Sequence, residues 1–334
     1  MTLGGSALRV RAAKKRHIAN IDVVRIIALV AIVIGHVYTH NEFTDKLIQS
    51  WRLPIFFMLS GYFWSASRDL NAEACTRTKR LLVPYAWWLL ILAVISLPAR
   101  AIREPDSLGG ALTGVIFGGS YAERPFTTFW FFTALFVATV LYRFLTELRT
   151  GVRLAVVGVG LLVNVLFGAE LALAPFSVLS ALGALVFIEA GRFVRTLSRG
   201  INSKTAAGLA AGCVAIAAVI LLALPDFVPV DMKSGQFPPL AVLVALLICT
   251  ALLLAAISVP EPTSKVARAL ETVTRPTLAV IILHPLVLWV LRPESGSLPL
   301  PAITAAALLL PWVAGLLIAR TRLSYPLLGV PPAK

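Results

Sequence analysis

The sequence predicts an all-α fold. It reads as a polytopic transmembrane helix bundle of about ten spanning helices, plus one short helix that is re-entrant or interfacial. Three observations predict this. The 334-residue chain is 58% hydrophobic and 14% charged, with a mean hydropathy of +0.87, whereas a soluble domain carries about 25% charged and 45–50% apolar residues. Apolar stretches of about 20 residues, the length a helix needs to cross the hydrocarbon core, recur along nearly the whole chain. Those stretches are continuous, not alternating, which argues against a β-barrel. A soluble enzyme, a disordered chain and a secreted disulfide scaffold are excluded by the same figures. Cys75, Cys213 and Cys249 have neither metal-ligand spacing nor an even disulfide framework, and no metal is expected. The net charge of +14 falls in short clusters between apolar segments. That is how topology is encoded in a membrane protein, so the bilayer is the expected partner and nucleic acid is not.

Spanning segments are expected near 20–40, 47–66, 80–98, 127–145, 153–169, 173–191, 205–224, 237–257, 275–291 and 301–319. Residues 1–19 form a basic cytoplasmic segment, 20–320 the transmembrane domain and 321–334 a short cytoplasmic tail. No cleavable signal peptide is expected, because the first apolar segment is too long and a second follows at once. The stretch 108–119, LGGALTGVIFGG, is the re-entrant or interfacial element. As a helix it covers about 18 Å of a core roughly 30 Å thick. With that stretch not crossing and the N-terminus cytoplasmic, 22 of the 30 Lys and Arg residues fall in cytoplasmic segments and seven outside. A crossing at 108–119 flips every later loop and erases the bias, so both termini are expected in the cytoplasm. Arg outnumbering Lys in an Ala-, Leu- and Val-rich chain suggests a bacterial source and hence the plasma membrane. No internal repeat is visible, unlike many transporters.

Ionisable side chains within a bilayer are costly, so each marks a candidate site. Arg25 and His36 lie on the first helix, 11 residues apart. At 100° per residue their directions differ by about 20°, and they are about 16 Å apart along the axis. Snorkelling of Arg25 to the interface and an interhelical hydrogen bond of His36 are the purely structural alternatives. In the second segment, WRLPIFFMLSGYFW (51–64), the Ser60-Gly61 pair permits close helix approach or a kink. Arg77 and Arg80 share a face at the entrance of the third helix, where two guanidiniums suit a phosphate. Headgroup contact is the alternative there. His284 precedes Pro285 inside a late helix, as a second acid–base group or a structural donor. The proline breaks the local ladder, which neighbours must then satisfy. Glu189 is expected to snorkel or to pair with Arg192.

Other motifs lead nowhere. His40 and Asp45 fit the H-x4-D pattern of glycerolipid acyltransferases, but in a short outer loop and without that family's other blocks. No GxSxG, P-loop, GxGxxG or HExxH is present.

Taken together, the motifs resemble the integral-membrane acyltransferase family 3, which includes many sugar O-acetyltransferases. The resemblance rests on Arg-x10-His (Arg25, His36), the aromatic run from Leu53 to Phe63, and Arg-x-x-Arg leading into Val-Pro-Tyr (Arg77, Arg80, Pro84, Tyr85). FWFFTALF at 129–136, with Trp130, and IILHP at 281–285 complete it in the same order. It implies transfer of an acyl group, commonly acetyl, from a cytoplasmic acyl-CoA to a hydroxyl of a carbohydrate, glycoconjugate or natural product. By position, His36 matches the catalytic histidine, Arg25 its partner, and Arg77 and Arg80 the pair associated with the acyl donor. A histidine can serve as general base near neutral pH, and an acyl-histidine intermediate is the alternative. Ser60 and Tyr85 are the nearest candidates for stabilising an oxyanion. Some members carry a large esterase-like domain after the core, and with about 15 residues following the last span none is expected here. A secondary transporter of a small organic anion, using Arg25 and His36, is the rival from another class. A scaffold subunit is a third reading.

Overall fold

Each of the ten predicted apolar segments contains helix among the described residues. The structure is a computed structural model that describes residues 3–39, 41–291 and 298–333, with side chains from residue 19 onward. Its helices are α1 (Leu3–Val37), α2 (Pro54–Tyr62), α3 (Leu70–Arg77), α4 (Val83–Arg103), α5 (Leu108–Phe117), α6 (Phe129–Leu145) and α7 (Thr150–Ala172). There follow α8 (Ser180–Ser198), α9 (Ser203–Ala223), α10 (Pro239–Ser258), α11 (Ser264–Thr274), α12 (Thr277–Leu291), α13 (Leu300–Ala319) and α14 (Ser324–Leu328). Side-chain caps set several starts: Asp69 accepts from the Ala72 N–H at 2.6 Å and Asn202 from that of Thr205 at 2.9 Å. Gly118, at φ 57°, ends α5 after ten residues, so the glycine-rich stretch stays too short to cross.

Seven helices are long and apolar enough to span a bilayer alone, and the pair α11–α12, bent by 42°, makes an eighth. The chain is a multi-pass membrane protein with an all-α bundle fold. The two other expected spans are shorter. Helix α6 has 17 residues. The segment at 47–66 is divided into a π turn (Asp45–Gln49), a single turn (Ser50–Arg52) and the nine residues of α2. Pro54 supplies no N–H at the start of α2, and the polar run after Phe63 ends it. Two elements escaped the hydropathy reading. Helix α11 is short and polar and buries no residue. Within the expected tail, residues 321–333 dock on the bundle. There Trp88 Nε1 donates to the Leu327 carbonyl at 2.8 Å, and Ser324, Leu327 and Leu328 are buried.

The core is aromatic. Phe131 meets Phe56, Phe57 and Phe132 edge to face, with ring centroids 5.5–5.7 Å apart. Against it α2 and α8 pack backbone to backbone. A Cβ on Gly61 would overlap the Ile188 carbonyl, and one on Gly191 would overlap that of Met58. The small residues therefore serve close helix approach. Gly61→Ala is expected to destabilise the protein by about 1–3 kcal/mol, because the helices must separate. Gly109→Ala, where a Cβ meets nothing within 4 Å, is expected to be neutral or to stabilise by about 0.5–1 kcal/mol. Thermal unfolding of the two variants in detergent checks the contrast.

Candidate active site

Two histidines meet where α1 and α12 face each other. His36 Nδ1 and His284 Nε2 are 2.8 Å apart. The tautomers follow from the other end of His284. Its Nδ1 lies 2.8 Å from the Val280 carbonyl, and a carbonyl only accepts, so Nδ1 carries the proton. Nε2 of neutral His284 then has only a lone pair to offer. His36 must donate from Nδ1, which leaves a lone pair at His36 Nε2. No described residue occupies that atom. His284 is fully buried at 0% exposure, while His36 keeps part of its surface open. The arrangement orients one accessible imidazole and leaves it ready to accept a proton.

Pro285 explains this local geometry. It cannot donate to the Ile281 carbonyl four residues earlier, and its ring crowds that carbonyl. Thr128 Oγ1, at the start of α6, donates to the freed oxygen at 2.9 Å instead.

The Arg25 end of α1 opens on a cavity of about 530 Å³. Arg25, Arg68, Arg77, Arg80 and Arg275 line it, with Ser60 and the apolar residues Phe56, Phe131 and Ile281. The acids present do not cancel the arginines. Glu73 binds both Arg77 (2.7 Å) and Arg68 (3.0 Å), and Asp22 binds Arg25 (2.6 Å). Arg80 forms no ion pair among the described residues. Arg77 closes α3 and Arg80 sits in the π turn Thr78–Leu82, which turns both toward the same space. Arg25 also lies over the Phe63 ring, 5.1 Å from its centroid.

The predicted site residues thus separate into two groups and a remainder. His36 and His284 join in one pair, and Arg25, Arg77, Arg80 and Ser60 share one cavity. Arg25 does not touch His36; its partner is Asp22. The Ser60 hydroxyl donates to the Phe56 carbonyl at 3.1 Å, a bond within its own helix. Tyr85 and Trp130 do not line the cavity. Tyr85 packs on Phe129 at 5.2 Å, and Trp130 is buried against Phe131 at 6.3 Å. The partner of Glu189 is Arg153 (2.9 and 3.2 Å), with Tyr142 also donating at 2.6 Å, and not Arg192. Arg192 instead covers the Trp64 ring at 4.4 Å. Of the H-x4-D pair, His40 lies outside the described residues.

Sequence reasoning missed the cations at the His36 end. Arg124 Nη2 donates to the His36 carbonyl at 3.1 Å. Lys233 donates to the Ala122 carbonyl (2.6 Å) and to Thr127 Oγ1 (3.0 Å). Burial pushes the Lys233 ammonium below its ordinary pKa, with Asp231 and Glu123 opposing. Arg52 is buried nearby. These residues sit in connecting segments or at a helix break, where hydropathy reads only a charge.

The acyltransferase domain family model, that of acyltransferase family 3, matches residues 18–321. The chain belongs to this family. No curated protein and no solved structure is significantly similar to it. Family membership makes the chain a membrane acyltransferase, and a transporter or scaffold reading gives way to an enzyme. The matched stretch contains both histidines and all five cavity arginines. The pair of buried Arg153 and half-buried Glu189 ties α7 to α8 in this acyltransferase bundle. Glu189→Gln is expected to cost about 3 kcal/mol, because it strands a buried guanidinium. Lowered thermal stability with the α-helical content retained below the transition is the result that checks it.

Proposed function

We propose that this acyltransferase moves an acyl group, acetyl in the first instance, from acyl-CoA to a hydroxyl of a carbohydrate, glycoconjugate or natural product. The observation that carries the reading is the His36–His284 pair, one helical turn beyond the apolar end of an arginine-lined cavity. Coenzyme A carries several phosphate charges, and five arginines at the mouth attract and fix them. Beside the arginines the cavity is lined by Phe56, Phe131 and Ile281. A pantetheine arm is long, thin and largely uncharged, and suits such an apolar lining. Its thioester then comes toward His36. The lone pair at Nε2 takes the proton of the acceptor hydroxyl as that oxygen attacks the carbonyl carbon. His284 holds the imidazole in the required tautomer and does not itself meet substrate.

The charge bias of the loops supports a cytoplasmic arginine rim, where acyl-CoA is made, with both termini on that side of a bacterial inner membrane. His36 then lies toward the outer half, about 16 Å from Arg25. An acceptor arriving from the outside reaches it without crossing the cavity that holds the donor.

Two experiments test this reading. His36→Ala, assayed in membranes by transfer of radiolabelled acetyl from acetyl-CoA, is expected to lose about 10²–10⁴-fold in turnover while still binding acetyl-CoA. Equal turnover in the variant removes His36 from the chemistry. Arg77→Gln and Arg80→Gln are each expected to weaken acetyl-CoA binding by about tenfold, with a smaller salt dependence than the wild type. Unchanged affinity in both places the donor elsewhere.

A further inference from the structure

Arg52 is an anomalous side chain among the described residues. It is 5% exposed, and its Nε and Nη1 are buried without a hydrogen-bond partner. It forms no ion pair among the described residues. Asp45 and Asp231 act on it only at longer range. A guanidinium held out of water with two of its three nitrogens unpartnered is strongly destabilising, so a fold that keeps one there keeps it for something absent from the free protein.

Its position says what. Nη1 rests against Gly35, where a Cβ would overlap it, so the guanidinium sits on α1 beside His36. Along its own segment, Arg52 precedes Phe56 by four residues and Ser60 by eight, and the backbone at Leu53 between them stays right-handed helical (φ −98°, ψ −44°). These positions share a helix face. Phe56, Leu59, Ser60 and Phe63 on that face line the arginine-rimmed cavity. On α12 the cavity-lining residues Thr277, Leu278 and Ile281 continue, one turn on, to His284. Both faces extended by one turn therefore place Arg52 and His284 past the apolar end. Helix α1 runs antiparallel to α2, with Arg25 against Phe63 at one end and Gly35 against Arg52 at the other. Arg52 is thus about 16 Å from the arginine rim and is not one of the phosphate-binding set.

We propose that Arg52 stabilises the oxyanion of the acyl transfer, which rests on the reading of His36 given above. As the acceptor oxygen bonds to the thioester carbonyl carbon, its proton passes to His36 Nε2. The carbonyl π pair moves onto the carbonyl oxygen, which becomes the oxyanion and takes hydrogen bonds from the unpartnered N–H groups of Arg52. When that pair returns to form the ester carbonyl, the C–S bond breaks. The leaving thiolate takes the proton from His36, and nothing is oxidised or reduced. Arg52 transfers no proton; it is a fixed cation whose interaction strengthens as charge develops. Ser60 and Tyr85 do not fill this place. The Ser60 hydroxyl is committed to the Phe56 carbonyl, and Tyr85 lies off the cavity against Phe129.

The test compares wild type, Arg52→Gln and Arg52→Lys in membranes of the organism that makes the protein, stripped of its native copy, with acetyl-CoA as donor. Arg52→Gln is expected to lower turnover at saturating acetyl-CoA by about 10²–10³-fold. Its KM and binding affinity for acetyl-CoA should stay within about threefold of wild type. Arg52→Lys keeps the charge without the fork and should fall between. Turnover of Arg52→Gln at the wild-type level overturns the proposal. So does a loss that recovers as the acceptor is raised, which makes Arg52 an acceptor anchor. Should Arg52→Gln fail to accumulate, Arg52→Lys decides: wild-type turnover overturns the proposal, and a fall in turnover at unchanged KM upholds it. A wild-type protein that does not bind acetyl-CoA fails the donor reading itself, and the Arg52 proposal with it. Normal binding with normal Arg52→Gln turnover removes Arg52 alone.

Discussion

The hydrogen bond between His36 and His284 ties together most of what matters in this bundle. It spans 248 residues of sequence and joins α1 to α12. Its direction is not free, because the Val280 carbonyl fixes the proton on His284 and so the lone pair on His36. Two neutral imidazoles in a chain satisfy each other without placing a charge in the bilayer, which is the least costly way to hold a titratable group there. The proline after His284 belongs to the same device. It frees a carbonyl that Thr128 then binds, and so fastens the start of α6 to α12.

Around that bond the molecule is graded in polarity. The Arg25 end is rich in arginines partly matched by Glu73, Asp22 and Glu271. The middle is aromatic. The His36 end is again cationic, with Arg52, Arg124 and Lys233. A charged substrate can be held at the rim by guanidiniums that are half-buried or, at Arg80, exposed, since their hydration is lost only in part. The cations beyond the aromatic layer are different. Arg124 and Lys233 are half-buried and donate to backbone carbonyls, whereas Arg52 is buried with its Nε and Nη1 unpartnered. The contrast separates groups that bind from a group positioned for an event. Close backbone packing at Gly61 and Gly191 keeps α2 in register, so that the Arg52 face and the cavity face remain one.

Much of this was legible in the residues. Arg25, His36, Arg77, Arg80 and His284 announce themselves because a charge or an imidazole in an apolar run has few other reasons to exist. Arg52 carried the same signal, but it lies at the edge of a segment interrupted by a π turn and a proline, and it reads as one more loop cation. Glu189 illustrates the opposite error. Its spacing to Arg192 on one helix is good, yet Arg153 and Tyr142 reach it across helices, and Arg192 is drawn to Trp64. Local spacing loses to a cross-bundle partner when burial raises the value of the better geometry.

By itself the sequence determined the class of solvent, the helical fold, the family motifs and the residue types available for chemistry. Those depend on composition, run length and short-range spacing, which hydrophobic burial reads directly. Only the tertiary structure decided that the two histidines form one hydrogen-bonded pair, that Tyr85 and Trp130 stand away from the cavity, and that Arg52 is buried beside Gly35 with its Nε and Nη1 unpartnered. The reason is physical. Those facts depend on which helix faces meet, and between apolar helices in lipid that choice is made by close packing and a few interhelical hydrogen bonds.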